Sequence, residues 1–96
     1  MPISLVHLTT ISPSKLGDEL VLAGYCVFEA LALSEVLYLQ EREKIDAVII
    51  GADVEEAEEK ERQLRGIVMR LKPDATAAYV QWELSLLFPN IQQVIQ

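Results

Sequence analysis

Two short runs of branched apolar residues constrain the fold of this chain more than any other feature. Residues 3–8 read I-S-L-V-H-L, and residues 47–50 read A-V-I-I and are followed by Gly51. Runs of this length bounded by turn residues are typical of strands that are buried on both faces. Such strands belong to parallel sheets, which helices cover on both sides. The two runs therefore predict an α/β protein.

The segment after the first run predicts a helix and a second strand. Ser12 followed by Pro13 is typical of a helix start, because the hydroxyl can cap free N–H groups and proline suits the first helical position. An apolar stripe over residues 16–23 leads to Gly24, a common residue just past a helix end. Residues 26–30 then predict a second short strand.

The second half of the chain predicts two more helices, a strand and a tail. Ser34 is expected to cap a helix that ends near the charged residues 41–44. Residues 53–71 read as the longest helix, since three acid-before-base pairs lie four residues apart on its surface. These pairs are Glu56/Lys60, Glu58/Arg62 and Glu61/Arg65. Residues 76–82 read as a fourth strand, and residues 84–96 as a tail with a short helix at 90–95.

The resulting order, β-α-β-α-β-α-β with a helical tail, predicts the architecture. Strands that alternate with helices pair in parallel through right-handed crossovers. We therefore expect one domain over residues 1–96, a doubly wound, flavodoxin-like open parallel sheet of about four strands with helices on both faces. Its ligand crevice should lie at the carboxyl ends of the first and third strands.

The composition of the chain argues against several classes of function. Fifteen acids against eight bases give a net charge of −7, which argues against a nucleic-acid surface. The single cysteine, Cys26, excludes an internal disulfide, and we interpret it as a small buried residue. No run of about 18 uncharged apolar residues is present, so no membrane contact is expected. The first residues lack the basic region of a signal peptide, so a cytoplasmic location is the default expectation.

The spacing of one segment resembles a known family. Residues 23–30 read A-G-Y-C-V-F-E-A, residues 36–39 read V-L-Y-L, and residues 46–50 read D-A-V-I-I. With this spacing the chain resembles a response-regulator receiver domain over roughly residues 3–82. The resemblance implies the doubly wound fold and a role in signal transduction.

The residues that receivers use for phosphotransfer are absent from the expected positions of this chain. Receivers bind Mg²⁺ through an acid pair that ends strand one, accept a phosphoryl group on an aspartate that ends strand three, and use a Ser or Thr after strand four and a lysine after strand five. The acid pair falls at His7-Leu8 or at Thr9-Thr10, and the acceptor falls on Gly51. The Ser/Thr position falls near Gln81, and no lysine follows Lys72. We therefore expect a shortened pseudo-receiver without the fifth strand, a metal, a cofactor or enzymatic activity.

Two residues near the expected crevice have more ordinary interpretations. Asp53 could act as an acceptor only through a register slip, and we expect it to cap the long helix in a D-x-x-E box with Glu56. His7 is the only histidine and could carry a proton or a ligand, but a hydrogen-bonded residue at a strand end is the simpler interpretation.

Two function hypotheses remain open. The first is a non-enzymatic signalling or interaction module that acts through protein–protein contacts, as a homodimer or with a protein partner. The resemblance implies a contact surface on the fourth strand and the helix after it, where apolar residues concentrate: Tyr79, Trp82, Leu86, Leu87 and Phe88. The alternative is a domain that binds a regulatory small molecule in a crevice formed by His7, Thr9, Thr10, Gly51 and Asp53.

Overall fold

The computed structural model describes residues 2–89, in which four strands and four helices alternate along the chain. The elements are β1 (Ser4–Leu8), α1 (Lys15–Leu22), β2 (Cys26–Ala30), α2 (Leu33–Arg42), β3 (Ala47–Ile50), α3 (Ala57–Arg62), β4 (Ile67–Arg70) and α4 (Ala77–Leu87). None of the helices in this range has the length and apolarity needed to cross a bilayer.

All four strands form one parallel sheet in the order β2-β1-β3-β4. This is the order of the first four strands of a flavodoxin-like sheet, so the predicted fold class is confirmed. The chain reverses direction across the sheet between β1 and β3, which both lie in its centre. Their carboxyl ends therefore form the switch point at which ligands of this fold class bind.

The sheet has an apolar layer on each face. One layer, which we call the α1/α4 layer, contains Leu5, Ile49, Leu20, Val80 and Leu84. The other contains Val6, Val48 and Ile50 and is closed by Val36 of α2. Alternate residues of the same strand enter opposite layers, which explains why β1 and β3 read as unbroken apolar runs in the sequence.

The prediction of one long helix over residues 53–71 is wrong. The segment instead contains the short helix α3, a turn at Gly66 and the strand β4. Gly66 has a φ of 79°, a left-handed conformation that breaks a helix and that glycine adopts at low cost. The three predicted ion pairs are absent from the described residues. Arg62 contacts Glu59, Arg70 contacts Glu61 at 2.8 Å, and Lys60 Nζ donates to the Glu55 carbonyl oxygen at 2.8 Å.

The strand predicted over residues 76–82 is also wrong, because these residues begin α4. The Thr76 side chain caps this helix by accepting a hydrogen bond from the Tyr79 N–H at 3.1 Å. The three buried residues of α4, Ala77, Val80 and Leu84, follow the spacing of one helix face. The predicted helix at 90–95 lies outside the described residues.

Smaller predictions also need correction. The N-cap of α1 is Ser14 and not Ser12, and α2 begins after Ala32 without a side-chain cap at Ser34. Cys26 is exposed and not buried, because it starts the edge strand β2.

Candidate functional site

The candidate site lies at the carboxyl ends of β1 and β3, in a crevice of about 360 Å³. Its walls come from the loops that follow β1, β3 and β4, which the parallel sheet brings to the same edge. Among the residues predicted from the sequence, the structure places His7, Thr9, Gly51 and Asp53 in this crevice. Thr10 lies beside them in a neighbouring groove of about 430 Å³.

His7 lies on β1 directly opposite Glu29 of β2 in the sheet register. Residues that are opposite in a parallel pair point to the same face of the sheet, so their side chains meet. The His7 Nδ1 atom lies 3.0 Å from Glu29 Oε2. His7 is 3% exposed, and this contact satisfies one of its two ring nitrogens.

Glu29 is the centre of a hydrogen-bond network that sequence reasoning missed. Its Oε1 atom accepts from the Ser12 hydroxyl at 2.9 Å and from the Ser14 N–H at 3.1 Å. Its Oε2 atom accepts from the Ser14 hydroxyl as well as from His7. The only available signal was an acid in the otherwise apolar strand 26–30, because a carboxylate that is partly buried there requires hydrogen-bond partners.

The network keeps the Glu29 carboxyl ionised and fixes the histidine. Burial alone raises the pKa of Glu29, but hydrogen bonds from Ser14, His7 and Ser12 outweigh it, so the pKa lies below its ordinary value. An ionised carboxylate can only accept hydrogen bonds. His7 therefore donates through Nδ1, and its Nε2 atom is left on the crevice side, beside Gly51.

Asp53 joins the loops after β1 and β3. Its Oδ2 atom accepts from the Thr9 hydroxyl at 2.9 Å, from the Thr10 N–H at 2.8 Å and from the Thr10 hydroxyl at 2.6 Å. Burial raises the pKa of Asp53, but the bonds from Thr10 and Thr9 outweigh it and lower the pKa below its ordinary value. The carboxyl is thus ionised at neutral pH.

Asp53 does not cap a helix, so the predicted capping box with Glu56 is wrong. The N-cap of α3 is Glu56 itself, with a left-handed φ of 55° and no side-chain cap bond. Instead, the Asp53 carboxylate lies against Thr9 and Thr10, whose hydroxyl groups and the Thr10 N–H supply its hydrogen bonds.

The residues predicted for an interface all lie on α4 or at its end, rather than on a fourth strand. Tyr79, Trp82 and Leu86 are 45%, 56% and 59% exposed. Leu87 is also exposed, whereas Phe88 packs partly against the α1/α4 layer.

Comparison of the chain with protein-family models, with curated proteins and with solved structures finds no match in any of the three.

Proposed function

We propose that this chain is a non-enzymatic, receiver-like signalling module that acts through protein–protein contacts and lacks phospho-acceptor chemistry. The observation that carries the proposal is an apolar stripe on the outer side of α4. We call the residues Tyr79, Trp82 and Leu86 the α4 stripe. They lie three and four residues apart, opposite the buried Val80 and Leu84. This spacing is typical of one helix packing against another.

The residues at the expected phosphotransfer positions support the non-enzymatic part of the proposal. Gly51 directly follows β3, where a receiver has its acceptor aspartate. Because the fourth strand is β4, the position after it is Leu71 and not a residue near Gln81. Neither expected position of the Mg²⁺-binding acid pair, His7-Leu8 or Thr9-Thr10, contains an acid. Within residues 2–89 no group of three metal-binding side chains occurs.

We propose that a second copy of the chain covers the α4 stripe. In an antiparallel arrangement about Trp82, Tyr79 of one copy packs against Leu86 of the other, so the stripe complements itself as a two-fold interface requires. Charge also favours this pairing, because Glu83 is the only charged residue in α4 and a net charge of −7 repels copies over the rest of the surface. The ring of Tyr79 is held for this contact by a 2.8 Å hydrogen bond to Glu83.

Light scattering and tryptophan fluorescence test this pairing. We expect dimer mass at high concentration and a blue shift of the emission as the chain associates, because Trp82 is the only tryptophan and moves out of water. Trp82→Glu should remain monomeric. Tyr38→Glu is the matched control, since Tyr38 is also an aromatic residue with 56% exposure but lies on α2, across the sheet. A monomer at all concentrations, or dimers of Trp82→Glu, would contradict the pairing.

Incubation with acetyl phosphate and Mg²⁺ tests the absence of acceptor chemistry separately. The expected mass spectrum is that of the unmodified chain. A stable adduct heavier by one phosphoryl group would overturn this part of the proposal whatever the oligomeric state.

A further inference from the structure

In the described part of the chain, β4 is an edge strand that pairs only with β3. The Leu71 N–H donates to the Ile50 carbonyl oxygen at 3.0 Å, which fixes the direction of the main-chain groups along β4. Because the N–H and C=O groups of successive residues point to opposite sides of a strand, those of Val68 and Arg70 point away from β3. A row of outward-facing donors and acceptors is a template for a further strand.

Two grooves flank this edge, one on each face of the sheet. The first has a volume of about 490 Å³ and includes Glu61 of α3 in its wall. The second has a volume of about 270 Å³ and includes Tyr79 of α4. Arg70 and Lys72 line both grooves. The side chains of an added strand alternate between the two faces of a sheet, so they would enter both grooves while the main chain pairs with β4.

The segment that contains β4 is the most basic part of an acidic chain. Residues 62–73 include four of the eight basic residues and no acid, although the whole chain has a net charge of −7. Arg62 and Arg70 contact acids of α3. Arg65 and Lys72 are exposed and form no salt bridge with a described residue. An added strand therefore meets a positive charge near each end of β4, which favours an acidic strand.

Two other occupants fit this edge less well. A second copy would bring the same basic segment to the edge, so that like charges would face each other. A parallel strand of the same chain would need a right-handed crossover through a helix on the α3 face, as in the β3–α3–β4 connection. Helix α4 lies on the opposite face, in the α1/α4 layer. Charge and topology therefore both favour an acidic segment of another protein.

We propose that the outer edge of β4 binds an extended acidic segment of a partner protein, which joins the sheet as an additional strand. Its main chain pairs with the N–H and C=O groups of Val68 and Arg70, and its carboxylates face Arg65 and Lys72. Tyr79 borders both this edge and the α4 stripe, but binding at β4 does not require two copies of the chain to pair.

A titration with the N-acetylated, C-amidated peptide SEVEVES, followed by ¹H–¹⁵N NMR, tests this proposal. Saturable shifts should appear at the amides of β4. Hydrogen exchange at Val68 and Arg70 should slow about tenfold when about nine tenths of the chain is bound, whereas the Leu71 amide, which already bonds to Ile50, should slow less. The uncharged peptide SQVQVQS should bind at least about fivefold more weakly.

Two N-methylated forms of SEVEVES test the main-chain pairing. One form is methylated at the amides of the first two glutamates, and the other at the amides of the two valines. In a bound strand, only one of these two sets points towards β4, so only one form should lose affinity, by at least about tenfold. Equal affinity of the two forms, whether retained or lost, would contradict strand addition.

A lysine variant tests the role of charge. Lys72→Gln should weaken binding of SEVEVES about two- to fivefold, as expected for one exposed ion pair. Lys44→Gln is the matched control and should bind like the parent chain, because Lys44 is also exposed but lies before β3, at the opposite end of the sheet. Light scattering on the same samples reports the oligomeric state, so a failure to bind the peptide can be distinguished from a failure to pair through the α4 stripe.

Three further outcomes would overturn the proposal. The first is equal binding of SEVEVES and SQVQVQS, or no saturable shift in β4. The second is exchange at Val68 and Arg70 that is as slow as in β3 before peptide is added, because another segment or copy would then cover the edge. The third is an oligothymidylate that displaces the peptide and binds more tightly, which would assign the basic segment to a nucleic acid.

Discussion

Four hydrogen-bond donors from three residues converge on the carboxylate of Glu29, which links β1, β2 and the start of α1. The donors belong to His7, Ser12 and Ser14. Gly17 lies against the same group, since a Cβ atom there would overlap Glu29 Oε2. The order of the β1–α1 loop and the orientation of His7 therefore both depend on one charged side chain.

Glu29→Gln should destabilise the folded chain by about 1–3 kcal/mol at neutral pH, because it replaces a charged acceptor with an amide that cannot accept four bonds. The folded pKa of Glu29 is lowered, so its contribution is present above the pKa of the unfolded chain and is lost as pH falls through the folded value. The difference between parent and variant should therefore shrink in acid.

Urea unfolding over a series of pH values measures this difference. Glu58→Gln on the surface of α3 is the charge-matched control and should stay within about 0.5 kcal/mol of the parent chain. A Glu29→Gln deficit that stays constant down to acid pH would show that the charge of the carboxylate is not what stabilises the loop.

The space at Gly51 is too small for a side chain while Thr9 and Thr10 hold the Asp53 carboxylate in its present position. A Cβ atom there would lie 2.5 Å from Asp53 Oδ1 and 3.2 Å from the Leu8 carbonyl oxygen. Gly51→Ala should therefore destabilise the chain by about 1–3 kcal/mol, as overpacking does. Thermal unfolding measures the effect, with Ala52→Ser at the exposed neighbouring position as the control. Equal stability of the two variants would contradict the crowding.

Among the secondary-structure elements, the sequence correctly predicts those whose residue pattern fits only one type of structure. Residues 3–8, 26–30 and 47–50 could be assigned as strands because the runs are short and bounded by turns. Residues 64–71 were misleading, since Leu64, Ile67, Val68 and Leu71 also follow helical spacing. Gly66 was the signal for a break, but a single glycine has only a modest helix cost.

The burial of Leu84 and Leu86 distinguishes a helix from a strand in this part of the chain. Leu84 and Leu86 would share a face in a strand, but in α4 Leu84 is buried and Leu86 is 59% exposed. Leu84→Ala should cost about 2–5 kcal/mol, whereas Leu86→Ala should change the free energy of unfolding of the monomer by less than about 0.5 kcal/mol. Chemical denaturation at low protein concentration measures both. Similar losses for the two variants would contradict the helical assignment.

The site was harder to predict than the fold. The crevice position follows from strand order, so His7, Thr9, Gly51 and Asp53 could be placed near it from the sequence. Their bonding could not, because the contacts of His7 with Glu29 and of Asp53 with Thr10 join residues 22 and 43 positions apart. Side-chain partners at such separations depend on register and loop geometry, which hydrophobic periodicity does not describe.

For the whole molecule, burial predicts an uneven distribution of stability. All residues of β3 are buried, whereas α3 has no buried residue and β4 is only partly covered. Amide hydrogen exchange should therefore be slowest in β1 and β3 and fastest, among the regular elements, in α3 and β4. Exchange by NMR measures the order. Protection of β4 equal to that of β3 would mean that a partner or another segment covers its outer edge.

The α1/α4 layer connects the crevice with the helix that carries the α4 stripe. Leu16 and Leu71 line the crevice and also pack against the cluster that contains Val80 and Leu84 of α4. Thermodynamic linkage then gives a reciprocal relation between the two regions. If a molecule in the crevice binds the paired chain more tightly than the single chain, it must strengthen pairing by the same factor. The dimerisation constant, measured with and without a molecule in the crevice, would give the coupling free energy between pairing and crevice binding directly.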